Sequence, residues 1–305
     1  MLPKFNNILE LVQRFPDERS CHQYLASRRW NGYMECPYED CEGDIAYVFK
    51  DGIRYKCTCC NRVYTAKTGT FMEASKLSTL KWFIAIYLVL HKKGISSVQL
   101  AKDIGTTQKT AWFVLHRIRH AFGNEEKEKL EGVVELDESY VGGKNKNRHY
   151  NKKVKNSQGR AYKDKTPVFG MLQRDGRLVA MAISCTSARV LRPIIYSNIK
   201  QGTTLMCDEF NVYKSLETNY TRNVVEHGKG QYVNGDCYTN GLENFWSHMK
   251  RGIIGVYHKT SRTHLNRYVQ EFVFKYNYRN LPVQEQMNVV FNNFACRLKY
   301  KELIK

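Results

Sequence analysis

The spacing of apolar residues changes character along the chain, and each change marks an element. Between residues 5 and 30, Leu9, Leu11 and Val12 form one apolar face and Cys21, Tyr24, Leu25 and Trp30 another. That pattern predicts two short helices. The runs Ile45-Ala-Tyr-Val-Phe49 and Ile53-Arg-Tyr-Lys56 flank Asp51-Gly52. They read as paired strands around a favoured hairpin turn. A helical period returns from Ser75 to Gly94, with the apolar run Trp82–Leu90 inside it and Gly94 as the stop. Ile95–Gly105 and Thr106–Arg119 then predict two helices joined at Gly105. From Gly132 the pattern becomes strand-like. Strands are predicted at Gly132–Asp137, Val168–Gln173, Leu178–Ile183, Thr203–Asp208 and Asn223–Val225, the second and third joined at Asp175-Gly176. Helices are predicted at Ser187–Ile199, interrupted by Pro193, and from Asn240 onward. Residues 261–300 are helical, with Leu281-Pro282 preceding a last helix that carries Phe291, Phe294 and Leu298.

These elements divide the chain into N-terminal helices (1–30), a small sheet (31–70), a helical region (71–125), a mixed α/β region (131–282) and a C-terminal helix (283–305). In the helical region, Ala101, Ile104, Ala111, Val114, Leu115 and Ile118 predict the interior of a helix-turn-helix. Thr107, Gln108 and Lys109 then open its second helix, where such motifs meet the major groove of DNA. In the small sheet, Cys36 and Cys41 precede a spacer of fifteen residues and then Cys57, Cys59 and Cys60. Two thiolate pairs on two turns suit one tetrahedral zinc, and Cys57 with Cys60 has the usual spacing, leaving Cys59 over. Four sulfurs close the coordination sphere, so the expected role is structural: a zinc ribbon on Cys36, Cys41, Cys57 and Cys60.

Charge narrows the partner. The chain has 48 Lys and Arg against 29 Asp and Glu, a net charge of +19. An excess of that size attracts polyanions, nucleic acid foremost. Residues 144–165 hold nine Lys or Arg and a single acid. The segment cannot bury a core and reads as a basic arm between the first two strands of the mixed region, with Lys144, Lys146, Arg148, Lys152 and Lys153 as candidate DNA contacts. Arg251, Lys259 and Arg262 extend a second basic stretch. The longest apolar run, Trp82–Leu90, is nine residues. A membrane span needs ~20, so none is expected. With no secretory signal and five of ten cysteines gathered between Cys36 and Cys60, the reading is cytosolic, with reduced thiols.

Three strands, a helix, a strand, a short helix, a strand and a helix make a mixed sheet flanked by helices, the arrangement of ribonuclease-H-like domains. Asp137 and Asp208 are each predicted to end a strand. Glu138 and Glu209 follow them directly and are alternatives at each position. Thirty-four residues lie between Asp208 and Glu243. Glu243 sits on the helix that opens at Asn240, where Asn240 and Glu243 have near-capping-box spacing. Glu243, Ser247 and Lys250 share one face of that helix. Three carboxylates brought together repel unless a cation neutralises them, and hard oxygen ligands suit Mg²⁺ or Mn²⁺. Two such ions serve phosphodiester chemistry by in-line displacement.

The segments Leu136-Asp-Glu-Ser-Tyr-Val-Gly-Gly-Lys144, Thr239-Asn-Gly-Leu-Glu-Asn-Phe-Trp-Ser-His-Met-Lys-Arg-Gly-Ile-Ile-Gly255 and Arg267-Tyr-Val-Gln-Glu-Phe-Val-Phe-Lys-Tyr-Asn277 carry a resemblance. With them, the chain from about Cys36 to Asn280 resembles zinc-ribbon insertion-sequence transposases of the acidic-triad (DDE) class, prokaryotic relatives of the Merlin group. The resemblance implies a triad of Asp137, Asp208 and Glu243 holding two Mg²⁺ or Mn²⁺ ions, with Lys250 as the accompanying basic residue. It implies metal-dependent cleavage and strand transfer on double-stranded DNA, at the element's terminal inverted repeats and at a target. It further implies a homodimer or higher oligomer on DNA, in the prokaryotic cytoplasm at the nucleoid. The chain departs from the family's pattern in its longer Cys36–Cys41 knuckle and in Cys237-Tyr238, where relatives often carry a histidine; His227 and His258 are minor candidates. Two other functions stay in view: a DNA-binding regulator derived from a transposase, and a structure-specific nuclease.

Overall fold

The computed structural model describes residues 4–304 apart from 31, 33, 92, 125–127, 143–148, 156–163, 226–238 and 294. It forms two compact units, residues 1–125 with 278–305, and residues 126–277.

In the first unit, α1 (Ile8–Arg14) and α2 (Glu18–Trp30) precede a three-stranded antiparallel sheet of β1 (Ala46–Val48), β2 (Arg54–Cys57) and β3 (Val63–Thr65). The β1–β2 turn forms at Asp51-Gly52 as expected, with Gly52 at φ +66. The Asp51 carboxylate there accepts the amides of Ile53 and Arg54. Trp30, at the end of α2, packs edge-on against Tyr55 and Tyr64. α3 (Thr79–His91) begins later than the apolar pattern predicts. Glu18 accepts the backbone amide of Thr79 at 2.7 Å, so a carboxylate from α2 sets its start. α4 (Ser97–Asp103) and α5 (Gln108–Gly123) are capped by the hydroxyls of Ser96 and Thr107. Gly105 turns the chain between them at φ +59, a conformation that favours glycine. The predicted interior residues Ala101, Ile104, Ala111, Val114, Leu115 and Ile118 are buried.

Residues 283–305 hold two helices rather than one, α9 (Val283–Asn292) and α10 (Tyr300–Leu303). Phe291 of α9 meets Phe83 at 4.9 Å between ring centroids, and the Tyr24 hydroxyl donates to Asn288 at 3.1 Å. Phe294 lies outside the described residues.

The second unit is a five-stranded sheet in the order β6-β5-β4-β7-β8. Its strands are β4 (Val133–Gly142), β5 (Lys165–Gln173), β6 (Leu178–Ala182), β7 (Thr204–Asp208) and β8 (Thr221–Val225). The first three are antiparallel; β7 and β8 join in parallel. Antiparallel hairpins on one side of a central first strand, with parallel strands reached by crossovers on the other, make the ribonuclease-H-like arrangement. Alternation along β4 sends Val134 and Leu136 to a core shared with Leu191 and Ile195 of α6 (Ala188–Asn198). Its other face meets α7 (Asn240–Gly252) and α8 (Arg262–Asn277) through Leu242, Phe245, Trp246, Met249, Val269 and Phe272. Helices therefore cover both faces. α6 continues through Pro193, which the sequence reading expected to interrupt it.

β4 is longer than predicted. It runs five residues past Asp137, paired with β5 as far as Gly142↔Lys165. Asp137 is therefore inside a strand, not at its end. The hydrophobic run stops at Leu136, but the antiparallel ladder supplies backbone partners beyond it. At the sheet edge, β6 is covered by amide side chains of α8. Asn266 accepts the Ala182 amide, Gln270 donates to the Ala180 carbonyl, and Asn277 bonds both backbone groups of Leu178. An edge strand closed in this way offers no template for strand addition.

Candidate active site and metal centre

Strand parity and register bring two of the predicted acids to one face. In the parallel pair, Glu135 lies opposite Met206. That pair closes the ladder; Asp137 and Asp208 come two residues beyond it on each strand, and strand parity puts both on the face that meets α7. Asp208 closes β7, as predicted, and its Oδ1 accepts the amide of Phe210 at 3.0 Å.

The two Asp/Glu ambiguities divide by geometry. Glu138 has the opposite parity to Asp137, and the buried Tyr213 donates its hydroxyl to Glu138 on the α6 side of the sheet. Glu209 lies just past the end of β7 and is exposed.

Glu243 comes from α7, whose buried stripe is Leu242, Phe245, Trp246 and Met249. Glu243, Ser247 and Lys250 form the exposed stripe, with Lys250 two turns beyond Glu243. The helix lies close on the sheet because Gly170, opposite Asp137 on β5, has no side chain. A Cβ there would come within 2.7 Å of the Trp246 ring and 2.9 Å of Leu242. In that space the Trp246 indole N–H donates to Asp137 Oδ2 at 2.8 Å. Asp137 Oδ1 accepts the Glu138 amide at 2.8 Å.

The capping box expected at Asn240 and Glu243 does not form. The N-cap residue is Thr239, whose side chain makes no cap bond. The helix start is held instead from the sheet. Glu135 is 1% exposed, and its Oε2 accepts the Leu242 amide at 3.0 Å. The Gly241 amide also reaches this carboxylate, and Arg174 faces it at 3.5 Å. Sequence reasoning missed Glu135. One available signal was its place two residues before Asp137, an acid in an otherwise apolar run.

The carboxylates sense one another. Burial pushes Asp137 up to about 6, opposed by its bonds from Trp246 and Glu138, and the charges of Asp208 and Glu243 push it further. Among the described residues, however, only Cys36, Cys41, Cys57 and Cys60 form a group of possible metal ligands whose ligating atoms all lie within 4.8 Å of one another. The three carboxylates stand wider than that.

The cysteine cluster fits zinc closely. Cys36 and Cys60 stand 3.7 Å apart at Sγ, as do Cys41 and Cys57. Zn–S bonds of ~2.3 Å in a tetrahedron require sulfurs about 3.8 Å apart, whereas a disulfide brings them to about 2.05 Å. Cys59 is exposed and outside the cluster. The Arg62 guanidinium donates to Cys60 at 3.3 Å and holds this thiol down, to about 6. Arg62 is itself fixed by Asp40 and lies over the Tyr38 ring. Gly43 lets the backbone cross beside the sulfurs, since a Cβ there would lie 2.7 Å from Cys57 Sγ.

The predicted DNA contacts are dispersed. Thr107, Gln108 and Lys109 are exposed at the start of α5, where Thr107 is the cap, Gln108 donates to Ser97 and Lys109 lies over Tyr300. Lys152 and Lys153 are exposed beside a short 3-10 turn at Tyr150–Lys152. Arg251, Lys259 and Arg262 are exposed around the π-helical turn Ile253–Tyr257 that follows α7. His258, at the end of this turn, has φ +58. Lys144, Lys146, Arg148, His227, Cys237 and Tyr238 lie outside the described residues. Among the described residues no helix is long and apolar enough to cross a membrane.

Comparison with known proteins adds to this geometry. Residues 129–277 match a family described as the ISXO2-like transposase domain. The chain is 30% identical over 293 residues to a protein of transposable element ISH50 from Halobacterium salinarum, covering 92% of this chain and 97% of that one. It is 21% identical over 114 residues to a transposase-like protein of Haemophilus influenzae, covering 37% of this chain and 90% of the relative. Among solved structures, the Mos1 strand transfer complex aligns with 70% of this chain and 78% of that chain, at a TM-score of 0.31 and 12% identity. The fold assignment rests on strand order and direction, not on that overlap.

Proposed function

We infer that this chain, which belongs to the ISXO2-like transposase family, cuts DNA at the ends of its own mobile element and joins those ends to target DNA. The observation that carries this reading is the placement of Asp137 and Asp208 on the α7-facing side of neighbouring strands, with Trp246 of the helix that bears Glu243 bonded to Asp137. Three hard oxygen donors whose charges oppose one another suit a pair of Mg²⁺ or Mn²⁺ ions. When bound, such ions activate the attacking hydroxyl or water and stabilise the leaving oxygen of an in-line displacement.

The chain's own residues do the rest. Trp246 and the Glu138 amide orient the Asp137 carboxylate, and the Phe210 amide orients Asp208. Glu243 reaches the site from the solvent side, where a DNA strand has access. Lys250, on the same exposed stripe, neutralises a phosphate. Thr107, Gln108 and Lys109 read the major groove from α5. Lys152, Lys153, Arg251, Lys259 and Arg262 hold the phosphate backbone. One zinc on Cys36, Cys41, Cys57 and Cys60 ties the ribbon together and takes no part in the chemistry. The working form is a homodimer or higher oligomer on two element ends.

Strand transfer tests this reading. In Mg²⁺, the purified protein cleaves and joins a duplex bearing the element's terminal repeats, and Asp208→Ala abolishes both steps. Cleavage that survives Asp208→Ala overturns the site. Binding without metal-dependent cleavage identifies a regulator, and cleavage without joining, indifferent to the repeats, identifies a nuclease.

A further inference from the structure

We propose that Glu135 is a positioning residue for the acidic site: its buried carboxylate grips the first turn of α7 and so sets where Glu243 stands relative to Asp137 and Asp208. This rests on the reading of Glu243 as a metal-holding acid.

The grip is built into both partners. A helix leaves its first N–H groups without partners, and its N-terminus carries partial positive charge. In α7 the N-cap side chain of Thr239 does not answer them. Glu135 does, through the amides of Gly241 and Leu242, with Arg174 behind it at 3.5 Å. Position 241 must be small for this approach. A Cβ on Gly241 would come within 2.5 Å of Leu172 and 2.9 Å of Glu135 Oε2.

The grip falls on the strand that carries the first acid. Glu135 and Asp137 are i and i+2 on β4, so the same strand face carries the first acid and holds the helix that carries the third. Glu243 lies between two fixed points, the Glu135 bond at Leu242 and the Trp246 bond to Asp137. A helix that slipped by one residue would carry Glu243 ~1.5 Å along its axis and ~100° around it. A metal site tolerates ~0.2 Å in its ligand distances. Of the polar contacts from α7 to β4, Trp246 alone would fix one point; Glu135 adds the second, at the helix start.

Mn²⁺ binding to the full-length, DNA-free protein, followed by electron paramagnetic resonance, tests the proposal without relying on activity. Glu135→Ala weakens Mn²⁺ binding about 10- to 100-fold, the usual range for a residue that supports a metal ligand. Glu135→Gln stays within about threefold, because its amide oxygen accepts the same backbone N–H groups. Gly241→Ala pushes the helix start off Glu135 and weakens binding as Glu135→Ala does. Near-ultraviolet circular dichroism and zinc content report folding. If Glu135→Ala does not fold, the contrast between Glu135→Gln and Gly241→Ala decides. A folded Glu135→Ala or Gly241→Ala protein that binds Mn²⁺ like the wild type overturns the proposal. So does Glu135→Gln falling as far as Glu135→Ala, which would assign the effect to charge. The underlying site reading fails separately, if Asp137→Ala leaves Mn²⁺ binding intact.

Discussion

Asp137→Asn should remove a pH-dependent loss of stability in protein free of Mg²⁺, so that the wild type is the more stable in acid and the variant in base. In the folded chain the Asp137 carboxyl rises from 3.8 to about 6, chiefly through burial, with Asp208 and Glu243 adding to it. A carboxyl with a raised folded pKa holds its proton more tightly folded than unfolded. Its stabilising contribution is complete below about pH 4 and is lost as the pH rises through about 6. Two units at ~1.36 kcal/mol each give about 3 kcal/mol. Asp137 is partly exposed, so solvent screening reduces this to roughly 2 kcal/mol. Asparagine never ionises and escapes that loss. It keeps an oxygen for Trp246 but turns an NH₂ group toward the Glu138 amide, forfeiting about 1 kcal/mol of hydrogen bonding. The wild type should therefore be the more stable by about 1 kcal/mol at pH 4, and the variant by about 1 kcal/mol at pH 8. Urea denaturation of both proteins across this range, with zinc retained and Mg²⁺ withheld, measures the difference. Adding Mg²⁺ at pH 8 should stabilise the wild type and leave the variant unchanged. A wild-type-minus-variant difference that stays constant from pH 4 to 8 would refute the electrostatic reasoning.

Three further outcomes follow from the same geometry. The protein should bind one zinc per chain, and Cys57→Ser should lose it while Cys59→Ser retains it, as read by elemental analysis; equal loss in both would break the assignment of the quartet. Gly170→Ala places a methyl group 2.7 Å from the Trp246 ring and should cost about 1–3 kcal/mol of stability, with a change in tryptophan fluorescence as the indole leaves Asp137. Glu138→Gln, on the far face of β4 beside Tyr213, should keep Mg²⁺-dependent cleavage within about tenfold of wild type, whereas Asp137→Asn should lose it; the reverse order would exchange their roles.

What the sequence made legible was governed by reach along the chain. The zinc cluster is local: two cysteine pairs on two turns of a small sheet, with Cys57 and Cys60 at the spacing a single turn allows; spacing favoured leaving Cys59 out, and its exposed place outside the cluster decides it. The succession of strands and helices was legible because alternation and turn residues are local as well, whereas the order of strands within the sheet was not. Asp137 shows where that stops. Its apolar run ends at Leu136, yet β4 continues to Gly142, because β5 supplies a ladder that composition does not record.

The start of α7 shows the same limit at the level of polar contacts. Asn240 and Glu243 satisfy the spacing rule for a local cap, but Glu135, 107 positions before Leu242, takes the helix N-terminus instead. A buried carboxylate is a stronger acceptor than a side-chain amide, and it needs those N–H donors, since an unpaired charge at 1% exposure is costly. The tertiary contact therefore outcompetes the local one. Periodicity could say that α7 lays one face on the sheet. It could not say that Glu135 and Trp246 are the two points of attachment, because a buried polar residue in an apolar run looks the same whether it holds a helix, a metal or nothing. Gly170 and Gly241 were the readable traces of that attachment. Each removes a side chain where the helix comes down on the sheet, and neither stands at a positive φ that a turn would require. A glycine inside a strand or a helix's first turn marks close approach, and here the two together outline where α7 rests beside Asp137.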